Sequence, residues 1–288
     1  MILVTGGAGQ VATALRRFHD VRVVGRPGFD FDRPDTVERT FDEAAPGLVV
    51  NAAAWTAVDA AETDRDGARR ANADGPALLA RLCARAGVPI IHLSTDYVFD
   101  GSKGEPYTED DAPSPTGVYG ATKLAGEEAV LDSGAAAAVL RTSWVYSPTG
   151  KNFVKTMLNA ALKTGTLRVV GDQRGNPTAA ADIAAAVMEV GRQLRPENAG
   201  VYHLAGTGET TWHGLAVATF EAAERHGRTR PTVDAIATAD WPTPARRPAD
   251  SRLDCAKLAR VFGVRLPSWR DSLQQTVDEL LAPARPPV

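Results

Sequence analysis

Ile2-Leu-Val-Thr5-Gly6-Gly-Ala-Gly9-Gln-Val-Ala12 combines an apolar run, a glycine turn and the start of a helical pattern. Ile2–Thr5 predicts a strand, and Gln10–Arg17 predicts a helix directly after the glycines. Gly6 permits a tight turn, Gly9 lets backbone approach a pyrophosphate, and the small Ala12 allows close helix–strand packing. The helix N-terminus then offers unpaired amides and a positive dipole end to phosphate. Glycine-rich turns are common, so the weight rests on position: directly after an N-terminal strand and before a helix. The Gly-Lys-Ser/Thr ending of a Walker loop is absent, which argues against a kinase or ATPase.

Working outward, further short apolar runs at Val21–Val24, Gly47–Asn51, Pro89–Ser94 and Ala137–Thr142 read as strands. Helical patterns at Pro34–Ala45, Arg65–Ala86 and Tyr119–Leu131 separate them. Continuous apolar strands alternating with helices predict an α/β fold, a doubly wound parallel sheet covered on both faces. Beyond about Arg141 the rhythm loosens. Helices are expected at Lys151–Lys163, Ala180–Leu194, Trp212–Arg225, Cys255–Val261 and Ser268–Leu281, broken by Gly-, Pro- and Thr-rich connections. This predicts a dinucleotide-binding domain over residues 1–150 and a smaller substrate lobe over 151–288, with about 180–204 returning to the main sheet. The tail Ala282–Val288, with three prolines, is expected to fray.

Composition narrows the function classes. With 288 residues, 44% apolar and 23% charged, the chain can bury a large core without disulfide or metal staples. Lys plus Arg number 32 against 35 acidic residues, a net charge of -3 that gives no global attraction to nucleic acid or anionic membrane. Cys83 and Cys255 stand alone and read as free thiols of a cytoplasmic protein. No basic and apolar leader opens the sequence, and no run reaches membrane-spanning length.

The second strand ends at Gly25-Arg26, where dinucleotide folds commonly place an acid for the ribose 2′-hydroxyl. A cation there favours a 2′-phosphate, hence NADPH, with NADH as a second cofactor. Asp30 and Phe31 follow at the adenine edge, and Asn51-Ala-Ala-Ala54 offers small residues beneath the cofactor. Tyr119 and Lys123, four apart, share a helical face. An ammonium beside a phenol lowers its pKa, and the pair can protonate a carbonyl oxygen as hydride reaches carbon. Lys123 can also hold the nicotinamide ribose. Thr95, at a strand end, can share the carbonyl hydrogen bond.

Together these features resemble the extended short-chain dehydrogenase/reductase superfamily. Asn51-Ala-Ala-Ala-Trp-Thr-Ala-Val-Asp59, Ser94-Thr-Asp-Tyr-Val-Phe-Asp-Gly101, Arg141-Thr-Ser-Trp-Val-Tyr146, Asn152-Phe153, Gly171-Asp-Gln-Arg-Gly-Asn-Pro-Thr178 and Arg247-Pro-Ala-Asp-Ser-Arg-Leu253 narrow the match. Over nearly its whole length the chain is similar to the dTDP-4-dehydrorhamnose reductase family. That resemblance implies cofactor contacts at Gly6, Gln10, Val11, Ala12, Asp30, Phe31, Ala53, Ala54, Thr56, Tyr119 and Lys123. It implies sugar-nucleotide contacts at Val58, Thr95, Asp96, Tyr97, Tyr119 and Trp144, the substrate being a dTDP-4-keto-6-deoxyhexose. Tyr119 would donate a proton to the C4 oxygen, with Thr95 tuning it and Lys123 supporting both. Trp144 suits a hexose face, and Arg247 and Arg252 suit the diphosphate. Some members of the family form a magnesium-bridged dimer through a glutamate in the first helix. Here that position is Ala14, so no metal and either a monomer or a metal-independent homodimer are expected.

Three other readings share these motifs. A sugar-nucleotide dehydratase would need Thr-Asp-Glu, but this chain has Thr95-Asp96-Tyr97. A 4-epimerase reuses the hydride chemistry with a retained NAD. A non-catalytic regulatory homologue would bind cofactor without turnover. Within the reductases, a 4-ketoreductase of a related dTDP-deoxysugar in secondary metabolism is the alternative to one making dTDP-L-rhamnose.

Overall fold

The computed structural model of the chain describes residues 1–282; the expected frayed tail, beyond Ala282, lies outside them. Five strands, β1 (Ile2–Thr5), β2 (Val21–Val24), β3 (Leu48–Asn51), β4 (Ile90–Thr95) and β5 (Ala137–Thr142), form a parallel sheet with Gly200–His203. Its order is Gly200–His203, β5, β4, β3, β1, β2. The chain runs outward from β1 to β2 and then back past β1 to β3. The strand order therefore reverses between β1 and β3, and a crevice opens there at the carboxyl ends of the strands.

The predicted strands agree with the observed ones to within a residue at each end. β3 and β5 are buried along their full length, as a sheet covered on both faces requires. One face packs Val4, Val50, Ile91 and Leu140 against the helices Gln10–Leu15 and Ala180–Gln193. The other packs Leu3, Val49, Ile90 and Val139 against Pro34–Ala44 and Gly75–Ala86. Residues 180–204 do reach the main sheet: the helix lies on Gln10–Leu15, and the strand pairs with β5 from Gly200↔Ala138 to His203↔Arg141.

Helix limits follow from local chemistry. Pro34 opens its helix and Ala45 closes it in the left-handed region, while Gly87 closes Gly75–Ala86 in the same way. The helix expected from Lys151 starts instead at Phe153, because the Asn152 side chain accepts from the Lys155 amide. The helix expected over Arg65–Ala86 holds a wide π turn at Arg70–Asp74. There Asn72 bonds the Trp55 backbone on both sides, and its carbonyl approaches Gly126 so closely that a Cβ would sit 2.0 Å away.

Outside the main sheet, Tyr146, Val154, Leu215, Trp269, Leu273 and Val277 form a separate core. Two parallel strands absent from the sequence reading, Thr166–Val170 and Thr232–Ile236, lie beside the helix Trp212–Glu224. Each carries only a few apolar side chains, so neither shows the continuous apolar run that marks the central strands. No helix among the described residues is long and apolar enough to cross a membrane.

Candidate active site

A cleft of about 770 Å³ opens over the β1–β3 crevice. Its floor is the glycine turn. Gly6 has φ +109°, and a Cβ there would lie 2.8 Å from the Ala52 carbonyl, so only glycine fits between the two strand ends. A Cβ at Gly9 would lie 3.0 Å from the Gly6 carbonyl. Gly6, Gly9, Gln10, Val11, Arg26, Asp30, Phe31, Ala53, Ala54, Thr56, Tyr119 and Lys123 all line this cleft. Ala12 does not; it is buried beneath the turn, where its small size admits the helix. Gln10 Oε1 accepts from Ser147 Oγ and Asn152 Nδ2, both at 2.9 Å, which ties the cofactor turn to the second half of the chain. A cleft of this volume, floored by glycines at the start of the helix Gln10–Leu15, fits a dinucleotide.

Arg26 is at the predicted place but not isolated. Its Nε contacts Asp30 Oδ1 at 2.9 Å and its Nη2 contacts Asp32 Oδ2 at 2.6 Å, while Arg70 holds the other oxygen of Asp32 at 2.8 Å. Any phosphate at Arg26 must therefore compete with two carboxylates.

At the other end of the cleft, the helix Val118–Leu131 begins where Glu62 Oε1 accepts from the Val118 amide at 2.8 Å. Tyr119 and Lys123 share its face, as the spacing predicted. Thr95 ends β4, and its hydroxyl caps the short turn Asp96–Val98 by accepting from the Tyr97 amide. The Thr95 hydroxyl also lies beside the Tyr119 phenol. The Tyr97 ring meets Tyr119 edge-on at 5.6 Å.

The electrostatics depart from the expected lysine–phenolate pair. Burial raises the Tyr119 pKa above that of an ordinary phenol, and the Thr95 hydrogen bond only partly opposes it. Lys123 Nζ points elsewhere, donating to the Leu93 carbonyl at 2.7 Å and lying 3.3 Å from His92 Nε2. Burial pushes the Lys123 amine down to about 8, with Glu127 working against it. Tyr119 is therefore held as a protonated phenol, the form that can donate. Asp96 is buried beside Thr95, which donates to its Oδ1 at 3.1 Å, while Oδ2 has no partner. Burial pushes its carboxyl up to about 6 against hydrogen bonds from Ser251 and Thr95.

The remaining substrate candidates are less uniform. Val58 starts the short helix Val58–Ala61 that follows the Ala52–Ala54 wall. Trp144 has a left-handed backbone, φ +46°, and stacks on Trp212 at 3.6 Å, its ring fitting only because position 175 is glycine. One ring face is thus already covered by an aromatic. Arg247 is a paired cation, held by Asp59 at 2.7 Å and passing 6.0 Å over the Tyr97 ring. Arg252 is buried and bonded to Asp250, Glu209 and the Gly104 carbonyl. A diphosphate at Arg252 would have to compete with two carboxylates.

Sequence reasoning missed the support behind Lys123. Glu127 continues the four-residue spacing of Tyr119 and Lys123 and forms a buried bidentate pair with Arg141, with Ser94 as a third partner. That spacing was the available signal. His92 was hidden inside an apolar strand run.

Comparison with known proteins agrees with this geometry. The family model described as RmlD substrate binding domain matches residues 1–282. A dTDP-4-dehydrorhamnose reductase of Sinorhizobium fredii is 46% identical over 288 residues, 97% of each chain. A probable dTDP-4,6-dihydroxy-2-methyloxan-3-one 4-ketoreductase of Streptomyces antibioticus is 41% identical, covering 99% of this chain and 97% of its own. The crystal structure of a dTDP-4-dehydrorhamnose reductase from Clostridium acetobutylicum superposes with a TM-score of 0.90 at 36% identity, covering 97% of this chain and 99% of that one. That of the Bacillus anthracis reductase in complex with NADP gives 0.90 at 31%, covering 96% and 98%. By sequence over its whole described length and by fold, the chain belongs to the dTDP-4-dehydrorhamnose reductase family.

Proposed function

We propose that the protein reduces the C4 keto group of dTDP-4-dehydro-L-rhamnose to give dTDP-L-rhamnose, with NADPH as the preferred reductant. The observation that carries this reading is the placing of the Tyr119 phenol beside Thr95 at the wall of the glycine-floored cleft. When bound, the nicotinamide supplies hydride to C4. Tyr119 delivers its proton to the C4 oxygen, so hydride and proton together turn the ketone into an alcohol. Thr95 hydrogen-bonds the same oxygen and orients the phenol. Lys123, fixed by the Leu93 carbonyl, holds the ribose side of the cleft. The sugar lies toward Asp96, Tyr97, Val58 and Trp144, with Arg247 at the diphosphate, between the dinucleotide-binding domain and the smaller lobe. The reading places the enzyme in the cytoplasm, as a monomer or metal-independent homodimer, with no nucleic-acid or membrane partner.

The Streptomyces relative keeps a second reading in view, a 4-ketoreductase acting on a related dTDP-deoxysugar. Product identification by NMR after incubation with NADPH and dTDP-4-dehydro-L-rhamnose separates the two. Formation of dTDP-L-rhamnose supports the first reading; refusal of this substrate with turnover of another 4-keto sugar nucleotide supports the second.

The NADP in the Bacillus relative supports the cofactor choice. A charge-assisted bond from Arg26 to a 2′-phosphate contributes about 1.5–3 kcal/mol, but Asp30 and Asp32 compete for the guanidinium. Arg26→Ala should therefore lower the NADPH/NADH ratio of kcat/KM by about tenfold or less, and Asp32→Asn should raise it. Ratios unchanged in both variants would remove Arg26 from cofactor selection.

With Ala14 in the first helix, activity should survive EDTA, and the size distribution should not depend on Mg²⁺. Activity lost to EDTA and restored by Mg²⁺ would contradict a metal-independent enzyme.

A further inference from the structure

A chain of buried polar groups crosses the sheet directly beneath the cleft. The Ala53 amide donates to Thr5 Oγ1 at 3.1 Å and approaches Asn51 Oδ1 at 3.3 Å. Thr5 Oγ1 donates to Asn51 Oδ1 at 2.6 Å, and Asn51 Nδ2 lies 2.9 Å from His92 Nδ1. His92 Nε2 then faces Lys123 Nζ at 3.3 Å. Thr5, Asn51 and His92 are wholly buried and Lys123 nearly so.

The direction of this chain is fixed at one end. A backbone amide can only donate, so Thr5 Oγ1 must accept from Ala53 and pass its own proton to Asn51. The oxygen of Asn51 therefore faces Thr5 and Ala53, and its amide nitrogen must face His92. His92 Nδ1 is then an acceptor. Burial holds the imidazole pKa well below its ordinary value, so the ring is neutral and, with Nδ1 accepting from Asn51, its one proton sits on Nε2. That proton points at Lys123 Nζ.

We propose that His92 is the positioning residue of Lys123, donating from Nε2–H to the lysine nitrogen and thereby favouring its neutral amine form in the cofactor-free protein. An ammonium has no lone pair to accept this proton, whereas an amine accepts it and still donates to Leu93. The groups facing Lys123 are few. His92 meets it from the adjacent strand, and Tyr119 and Glu127 lie one turn away on its own helix. Glu127 favours the charged form but is committed to Arg141 and Ser94. The functional meaning rests on the reductase reading, but the test does not: it uses protein without cofactor or substrate.

Two NMR measurements decide it. The ring nitrogens of ¹⁵N-labelled His92, assigned by comparison with His92→Phe, should show a neutral imidazole protonated at Nε2. The ¹⁵Nζ resonance of Lys123 should titrate below an ordinary lysine in wild type, and its midpoint should rise by about half to one unit in His92→Phe, the loss of one net hydrogen bond. Should that variant not fold, Asn51→Ser, which frees His92 from its imposed tautomer, should raise the midpoint in the same direction. His92 protonated at Nδ1, or a Lys123 midpoint unmoved by both substitutions, would overturn the proposal without touching the assigned reaction.

Discussion

Tyr119→Phe is expected to lower kcat by about 10²–10⁴-fold, the usual contribution of a positioned acid, while cofactor affinity changes little. The substitution keeps the ring and its edge-on contact with Tyr97, and removes only the hydroxyl. No neighbour is well placed to replace it. Lys123 Nζ is turned toward Leu93 and His92, and the Thr95 hydroxyl is a far weaker acid. Asp96, whose carboxyl is pushed up to about 6, accepts from Thr95 at 3.1 Å and offers an indirect source of a proton, so some turnover should remain. Steady-state kinetics with a parallel NADPH titration checks this. Near-normal kcat in the variant would mean that the proton comes from elsewhere.

Glu127→Ala should cost about 3–5 kcal/mol of stability, because it strands a buried cation. Both Glu127 oxygens are used: one accepts from Ser94 and Arg141 Nε, the other from Arg141 Nη2 at 2.7 Å. Arg141 already has one buried nitrogen, Nη1, without a partner, and leans 5.1 Å over the Phe99 ring. Removing its carboxylate leaves no way to compensate the charge short of opening the β4–β5 region. A thermal melt should fall by roughly 6–20 °C, taking 2–4 °C per kcal/mol for a chain of this size. Glu189→Ala, which breaks the exposed pair with Arg192, should by contrast shift it very little. Equal shifts in the two variants would show that the buried pair does not hold the sheet beneath the site.

The central sheet was legible because its strands are short, apolar and bounded by turns, a pattern that physical burial on two faces imposes. The glycine turn was legible because Gly6 admits no other residue. Tyr119 and Lys123 were found from their helical spacing, and one further step of four would have reached Glu127. The two strands Thr166–Val170 and Thr232–Ile236 escaped notice because they are half exposed and alternate weakly. Charge partners were the least legible. Arg26, Arg247 and Arg252 each read as a cation facing ligand, yet each meets a carboxylate, and only the fold brings Asp59 to Arg247 across 188 residues. His92 was invisible for a different reason: within β4 it sits at a fully buried position, and only its hydrogen bonds distinguish it from a core residue.

The most direct measurement supplies NADPH deuterated at the transferable nicotinamide position together with dTDP-4-dehydro-L-rhamnose, and follows the label. The account predicts one deuterium at C4 of dTDP-L-rhamnose for each NADPH oxidised, with that transfer greatly slowed in Tyr119→Phe. Deuterium absent from C4, or bound cofactor with no oxidation at all, would contradict it.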